Sequence, residues 1–359
     1  MSEPVPGLSD VLRSLYGRQV SGTTHALRGE ASTRRYHRFS VTEPASLATD
    51  LPRSLIVMQL PNDADNASAS RDQARAFIDV QRLLRGRGVP VPTIHLADLE
   101  LGLLLLEDLG EQTFEARLRS LPRARWRGCY ELAIDLLADM HAACEPPRES
   151  SECIAYGRRF DEKLLRWELD HFRQWGLEAP HGELAATARA QLDAQFDALT
   201  QTLLALPVGF VHRDYQSRNL MWAPGERLVV IDFQDALLGP RPYDLVALLC
   251  DSYVDLDAQL QLAMLERYAQ RRGLSRADSA ELQRGFHLVA VQRKLKDAGR
   301  FVFIDRVRKN PSFLQHYPQS LRYVGRALAA LPELQELSKL LARTLPGFPD
   351  AAQVPAAIS

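Results

Sequence analysis

The segment Val208–Leu238 constrains this chain more than any other. It opens on a short apolar run, Val208–Val211, and closes on a second, Leu228–Phe233, with a polar stretch, His212–Asn219, between them. Apolar runs of this length bounded by polar clusters read as buried strands. The segment therefore reads strand, loop, strand. It is inserted between stretches that read as helix, Leu184–Leu206 before it and Tyr243 to about Arg343 after it. A fold must hold this small β element inside a helical body.

The first hundred or so residues have a different texture. Arg35–Val41, Ser54–Leu60 and Leu101–Glu107 read as strands. Between the last two, Ala74, Phe77, Ile78, Gln81 and Leu84 fall at helical spacing and predict a helix from Ser70 to Arg85, stopped by Gly86 and Gly88. Val89-Pro90-Val91-Pro92 forces an extended connector. Beyond Gly110, Leu132, Ala133, Leu136, Leu137 and Met140 predict one apolar helix face. Ser275 with Asp278 is a capping signature for a later helix. The expected organisation is an α+β, bilobal chain. Residues 1–106 form a small β-rich N-terminal lobe, 107–110 a hinge, 111–345 a larger helical lobe, and 346–359 a frayed Pro/Ala-rich tail. A cleft between lobes is a favoured ligand site.

Composition removes several classes. Of 359 residues, 46% are hydrophobic and 25% charged, enough to bury a core, and the net charge of -1 gives no global basic field for nucleic acid or an anionic membrane. The four cysteines form no C-x-x-C pair and read as thiols in a reducing compartment. No secretion signal and no apolar run near ~18 residues is visible, so the expectation is a cytoplasmic protein with no membrane, nucleic-acid or obligate protein partner.

The loop His212–Asn219 contains H-R-D-x-x-x-x-N. In phosphoryl transfer the Asp accepts or orients the proton of the attacking hydroxyl, and the Asn holds a metal ion. Downstream, Val229-Val230-Ile231-Asp232-Phe233 reads as a strand ending in an acid followed by Phe, with Gln234 where kinases carry Gly. The acid of such a site binds Mg²⁺ on the nucleotide phosphates. The blander readings are a buried His212–Asp214 pair and a strand-end cap at Asp232. Each motif alone is weak. In this order, after a β-rich lobe, they point to a phosphotransferase site that uses ATP and Mg²⁺, with Asp214 catalytic and Asn219 and Asp232 as metal ligands.

These residues, with Gly239-Pro240-Arg241-Pro242-Tyr243-Asp244-Leu245, resemble the aminoglycoside phosphotransferase superfamily, relatives of the protein kinases. Ala31–Arg38, Leu104–Gly110, Asp232-Phe233-Gln234-Asp235-Ala236 and Gln292-Arg293-Lys294-Leu295-Lys296 are similar to bacterial kinases of the anomeric hydroxyl of N-acetylmuramate and N-acetylglucosamine. The resemblance implies a kinase-like fold and a role in peptidoglycan sugar recycling. It implies backbone contacts to adenine at Glu107 and Leu109, and a structural part for His212 and for Asp244 under the catalytic loop. Asp235 is a candidate for the sugar hydroxyls. Arg218 is a candidate to stabilise the transferring charge, or to orient the loop through a carboxylate.

One departure stands out. The strand Leu55–Leu60 has no Lys, and the helix Ser70–Arg85 has no Glu, so the ordinary phosphate clamp is missing. Ser32, Arg34, Arg35 and Arg38 occupy the place of the phosphate loop, and Arg34 or Arg35 is expected to replace the lysine. The alternatives are a kinase for another small alcohol (choline, homoserine, a ketosamine) or a nucleotide-binding pseudokinase. Residues 281–330 carry ten Lys/Arg against three acids. If this stretch lines the acceptor side, it disfavours a cationic acceptor; otherwise it is a solvated helical face.

Overall fold

A computed structural model describes residues 5–27, 34–42, 48, 51–61, 67–146 and 153–350. Contacts divide the chain into two compact units. The first is Met1–Thr113 with Leu220–Asp235, and the second is Phe114–Asn219 with Ala236–Ser359.

The first unit is a five-stranded antiparallel sheet. Its strands are β1 (Gly22–Leu27), β2 (Arg35–Val41), β3 (Ser54–Gln59), β4 (Ile94–Asp98) and β5 (Leu103–Glu107), in the order β1-β2-β3-β5-β4. Alternation buries Phe39, Val41, Leu55, Val57, Leu103 and Leu105 on one face, where the helix Leu8–Tyr16 adds Leu8, Val11, Leu12 and Tyr16. The helix Ala67–Gly86 brings Ala74, Phe77, Val80 and Leu84 to the interior. Gln81 is buried with them because its amide donates to the Pro92 carbonyl, which the Pro-rich connector leaves without a ladder partner.

The expected boundary is not the one contacts draw. The hairpin β7 (Leu220–Ala223) and β8 (Arg227–Val230) falls in the sequence range expected for the helical lobe, but it packs with the first unit. Met221 bridges to Thr113, the Val230 N–H donates to Pro90, and Leu109, Ala223 and Val229 share one apolar cluster. Strand β8 also stops at Val230, so Asp232 lies in a loop and not at a strand end. Val208–Val211 is β6, and it pairs antiparallel with β9 (Leu237–Pro240), which the periodicity did not reveal.

The second unit is helical around β6 and β9. Its long helix, Arg276–Arg308, starts at a capping box made by Ser275 and Asp278. In the helix Trp126–Ala143 the buried face is Tyr130, Ala133, Ile134, Leu137, Ala138 and Met140. Leu132, expected on that face, is half exposed, since it sits a step of ~100° away from Ala133. Among the described residues, no helix is long and apolar enough to cross a membrane.

The long helix approaches the π-helical segment Phe172–Glu178 without room for a side chain. A Cβ on Gly299 would lie 2.7 Å from the Phe172 Cα, and one on Gly176 would meet the Phe172 ring at 2.5 Å. Backbone cannot yield as a side-chain tip can. Gly299→Ala is therefore expected to lower stability by about 1–3 kcal/mol despite the better helix propensity of Ala. Urea unfolding checks this, and an unchanged midpoint would contradict it.

Candidate active site

Asp214 and Asn219 belong to the second unit, Asp232 and Asp235 to the first. The catalytic loop is built on a buried anion. Asp244 is fully buried in the first turn of the helix Tyr243–Leu249. Its carboxylate accepts from the His212 N–H at 2.7 Å and the Arg213 N–H at 2.9 Å, and His141 Nε2 lies 3.1 Å away. Two successive N–H groups converge on one anion only when the backbone curls into a nest, with one residue left-handed. Arg213 adopts φ 80°, a strained value for a non-glycine residue.

The curl carries Asp214 out of β6 and turns its side chain to the surface, where it is 35% exposed. His212, fully buried, accepts from the Asp214 N–H through Nδ1 at 3.2 Å. Tyr215 anchors the next position by donating to the Ala133 carbonyl at 2.8 Å. The Asp214 carbonyl accepts from the Gln216 N–H and from Asn219 Nδ2 at 2.9 Å. The amide of Asn219 is thereby oriented, with its oxygen as the atom suited to a hard cation.

The Asp214 carboxylate is surrounded by cations. Burial alone would raise its pKa, but Arg293, Lys296 and Arg213 hold it below the ordinary aspartate value. Arg293 and Lys296 lie on the long helix. Both belong to the basic stretch 281–330, and helical spacing does not say which loop that helix faces.

Arg218 does not point its charge at open space. Its Nε donates to Glu115 at 2.7 Å and its guanidinium lies 3.7 Å from the Tyr253 ring centroid. Of the two roles expected for it, the geometry is that of orienting the loop through a carboxylate. Asp251, not anticipated, accepts from the Ser217 N–H at 2.8 Å.

In the first unit, Asp232 adopts φ 64°, again left-handed. Gln234, at the position of the kinase Gly, donates its amide to Asp232 Oδ1 at 2.9 Å and reaches Asp235 Oδ2 at 3.5 Å. It thus ties together two exposed carboxylates that would otherwise repel. Phe233 stacks on Phe77 at 4.8 Å, which fixes the turn against the helix Ala67–Gly86.

Arg34 is buried, 8% exposed, and its Nη2 meets Gln73 Oε1 of that same helix at 3.3 Å. Tyr36 lies within reach of both Arg34 and Asp232: burial raises its pKa, Arg34 opposes this and Asp232 adds to it. Arg34 thus sets a buried cation just before β2, beside a side chain of the helix Ala67–Gly86. Arg35 is exposed. Ser32 lies outside the described residues.

Arg38, expected among the phosphate-binding guanidiniums, pairs with carboxylates instead. Its Nε and Nη2 grip Asp108 at 2.8 and 3.1 Å, Nη1 meets Glu111, and Nη2 also donates to the Gly110 carbonyl. Asp108 accepts further from Ser54. Arg38 is a clamp on the turn that follows β5. The Glu107 side chain is likewise structural. Burial pushes its pKa up, but the Thr93 N–H and hydroxyl and Arg227 bring it below the usual value. The Glu107 N–H donates to the Thr93 carbonyl at 2.9 Å. Among the described residues, the Leu109 N–H has no protein acceptor.

Comparisons with known proteins agree with this chemistry. A sequence profile described as "Phosphotransferase enzyme family" matches residues 26–283. A protein of Pseudomonas aeruginosa named N-acetylmuramate/N-acetylglucosamine kinase is 36% identical over 87% of this chain and 86% of its own length. One of the same name from Pseudomonas putida is 32% identical over 95% and 94%. The crystal structure of an ADP-bound aminoglycoside phosphotransferase, APH(2'')-Ib, superposes with a TM-score of 0.54 at 14% identity, covering 93% of this chain and 97% of that one. The last shows the kinase-like fold alone.

The clamp on this turn is testable without any ligand. Arg38→Ala leaves Asp108, 11% exposed, without its bidentate partner. Stability is expected to fall by about 2 kcal/mol, the scale of a charge-assisted hydrogen bond. An unchanged chemical-denaturation midpoint would show that Ser54 and the Gly110 N–H suffice.

Proposed function

Since this chain belongs to the phosphotransferase enzyme family, we propose that it phosphorylates the anomeric hydroxyl of an N-acetylated amino sugar, N-acetylmuramate or N-acetylglucosamine, from ATP. The observation that carries the substrate class is the identity of 36% to a kinase of that name over nearly the whole chain. The site is compatible with it. The Asp214 carboxylate is held ionised among cations and is a weak base. An anomeric hydroxyl is more acidic than an ordinary sugar hydroxyl and needs no stronger one.

In the reaction, the acceptor hydroxyl donates its hydrogen bond to Asp214 as its oxygen attacks the γ-phosphorus. The new O–P bond forms as the bond to the bridging oxygen of ADP breaks, and the proton passes to Asp214. Asn219 and Asp232 are the oxygen donors fitted to hold Mg²⁺, which supplies charge neutralisation on the phosphates. Asn219 is oriented for this by its bond to the Asp214 carbonyl, and Asp232 by the Gln234 amide. Arg34, braced by Gln73, takes the place of the kinase lysine. Its fork meets phosphate oxygens bidentately. Backbone groups of Glu107 and Leu109 hold the adenine edge. Asp235, tethered by Gln234, accepts from sugar hydroxyls. His212 and Asp244 hold the loop. ATP use fits a cytoplasmic enzyme acting on sugars recovered from the cell wall.

A coupled ADP-release assay with a panel of sugars and amino alcohols tests the function. Turnover with choline and none with either amino sugar would refute it. Asp214→Asn is expected to lower kcat by at least ~100-fold, the usual scale for positioned proton transfer, with ATP binding retained. Near-normal turnover in that variant would reject Asp214. Arg34→Ala is expected to lower kcat/KM for ATP by more than ~10-fold, and Arg35→Ala by less, because Arg34 alone is buried against Gln73. The reverse order would move the clamp to Arg35.

A further inference from the structure

Arg293 has a place in the geometry but no part in the function so far. Its side chain is 2% exposed. A guanidinium buried to that degree has to be paired on several sides. Nη1 donates to the Arg213 carbonyl at 2.6 Å, and Nη2 donates to Asp214 Oδ1 at 3.1 Å. The group also lies 4.9 Å from the Tyr243 ring centroid. Its first contact is to the strained left-handed residue, its second to the reactive carboxylate. Among the described residues, Asp214 Oδ2 has no such partner.

The next residue acts on the other end of the loop. Lys294, also 2% exposed, donates to Ser252 and to Asp297. Ser252 follows Asp251, which accepts from the Ser217 N–H. Two consecutive residues of one long helix thus brace the loop, one at Asp214 and one behind Ser217. A site held by a helix is more sharply placed than one held by its own loop.

We propose that Arg293 is a positioning residue for phosphoryl transfer: it locks Asp214 through Oδ1 and so presents Oδ2 to the acceptor hydroxyl. This rests on the assignment of Asp214 above. A displacement of ~1 Å in such a group can cost ~100-fold in rate. Lysine is a poor replacement, because one ammonium lacks the planar fork that spans a carbonyl and a carboxylate.

A double-mutant cycle on the full chain tests it, with kcat and KM measured for ATP and for the sugar. Arg293→Gln is expected to lower kcat by ~10- to 100-fold while both KM values move less than ~3-fold. Arg293→Lys recovers only part of the loss. In the Asp214→Asn background, Arg293→Gln is expected to cost less than ~3-fold more, because no base remains to be aimed. Equal losses in both backgrounds, or wild-type kcat in Arg293→Gln, would overturn the inference. If Arg293→Gln fails to fold in a thermal melt, Arg293→Lys carries the same cycle. If the wild type uses another alcohol in place of the amino sugars, the sugar assignment falls and the cycle is read on that acceptor. A wild type inert to every acceptor overturns both.

Discussion

The Asp244 carboxylate organises the second unit's half of the site. A buried anion is costly unless every lone pair finds a donor. Here two backbone N–H groups and a histidine meet it. The histidine is held in turn by Tyr268 through Nδ1 at 2.8 Å. The price of that convergence is a left-handed Arg213, and the consequence is that the chain leaves β6 abruptly, with Asp214 facing outward. Without the anion, the loop would have no reason to keep its strain.

Around that anchor, charge is arranged in two layers. The inner layer, Asp244, His212 and His141, is hidden and fixes backbone. The outer layer, Arg293, Lys296 and Arg213, faces the Asp214 carboxylate and sets its ionisation. The basic stretch at residues 281–330 is thus not uniformly a solvated face, because Arg293 and Lys294 are among its most buried side chains. A helix can carry such residues inward only where loops supply acceptors, and here the Arg213 carbonyl, Asp214, Ser252 and Asp297 do so.

The first unit solves a separate problem. It lacks the lysine and glutamate that usually hold a nucleotide's phosphates. Arg34 is a buried cation of this unit, and its Nη2 meets Gln73 Oε1 at 3.3 Å. Arg38 instead secures the turn after β5 through Asp108, and Arg227 secures Glu107. Similar arginines a few residues apart along one chain segment thus do different work. Arg34 precedes β2 and meets the helix Ala67–Gly86, whereas Arg38 lies four residues further on, within the strand, and reaches Asp108.

Much of this was legible in the chain itself. The strands Arg35–Val41 and Val208–Val211, the helix near Ser70–Arg85 and the capping box at Ser275 follow from local pattern and end chemistry, which act over a few residues. So does the phosphotransferase character of His212–Asn219, because its spacing is set by a single loop. Pattern did not reveal that Val208–Val211 pairs with Leu237–Pro240, or that the hairpin at Leu220–Val230 packs with the first unit. Nor did it show that Arg38 reaches Asp108, or that Arg293 reaches Asp214. Each of those joins residues far apart in sequence, and the partner is chosen by packing and by the need to satisfy buried polar groups. Local sequence determined which groups could do chemistry. The tertiary structure decided which cation stands beside which carboxylate.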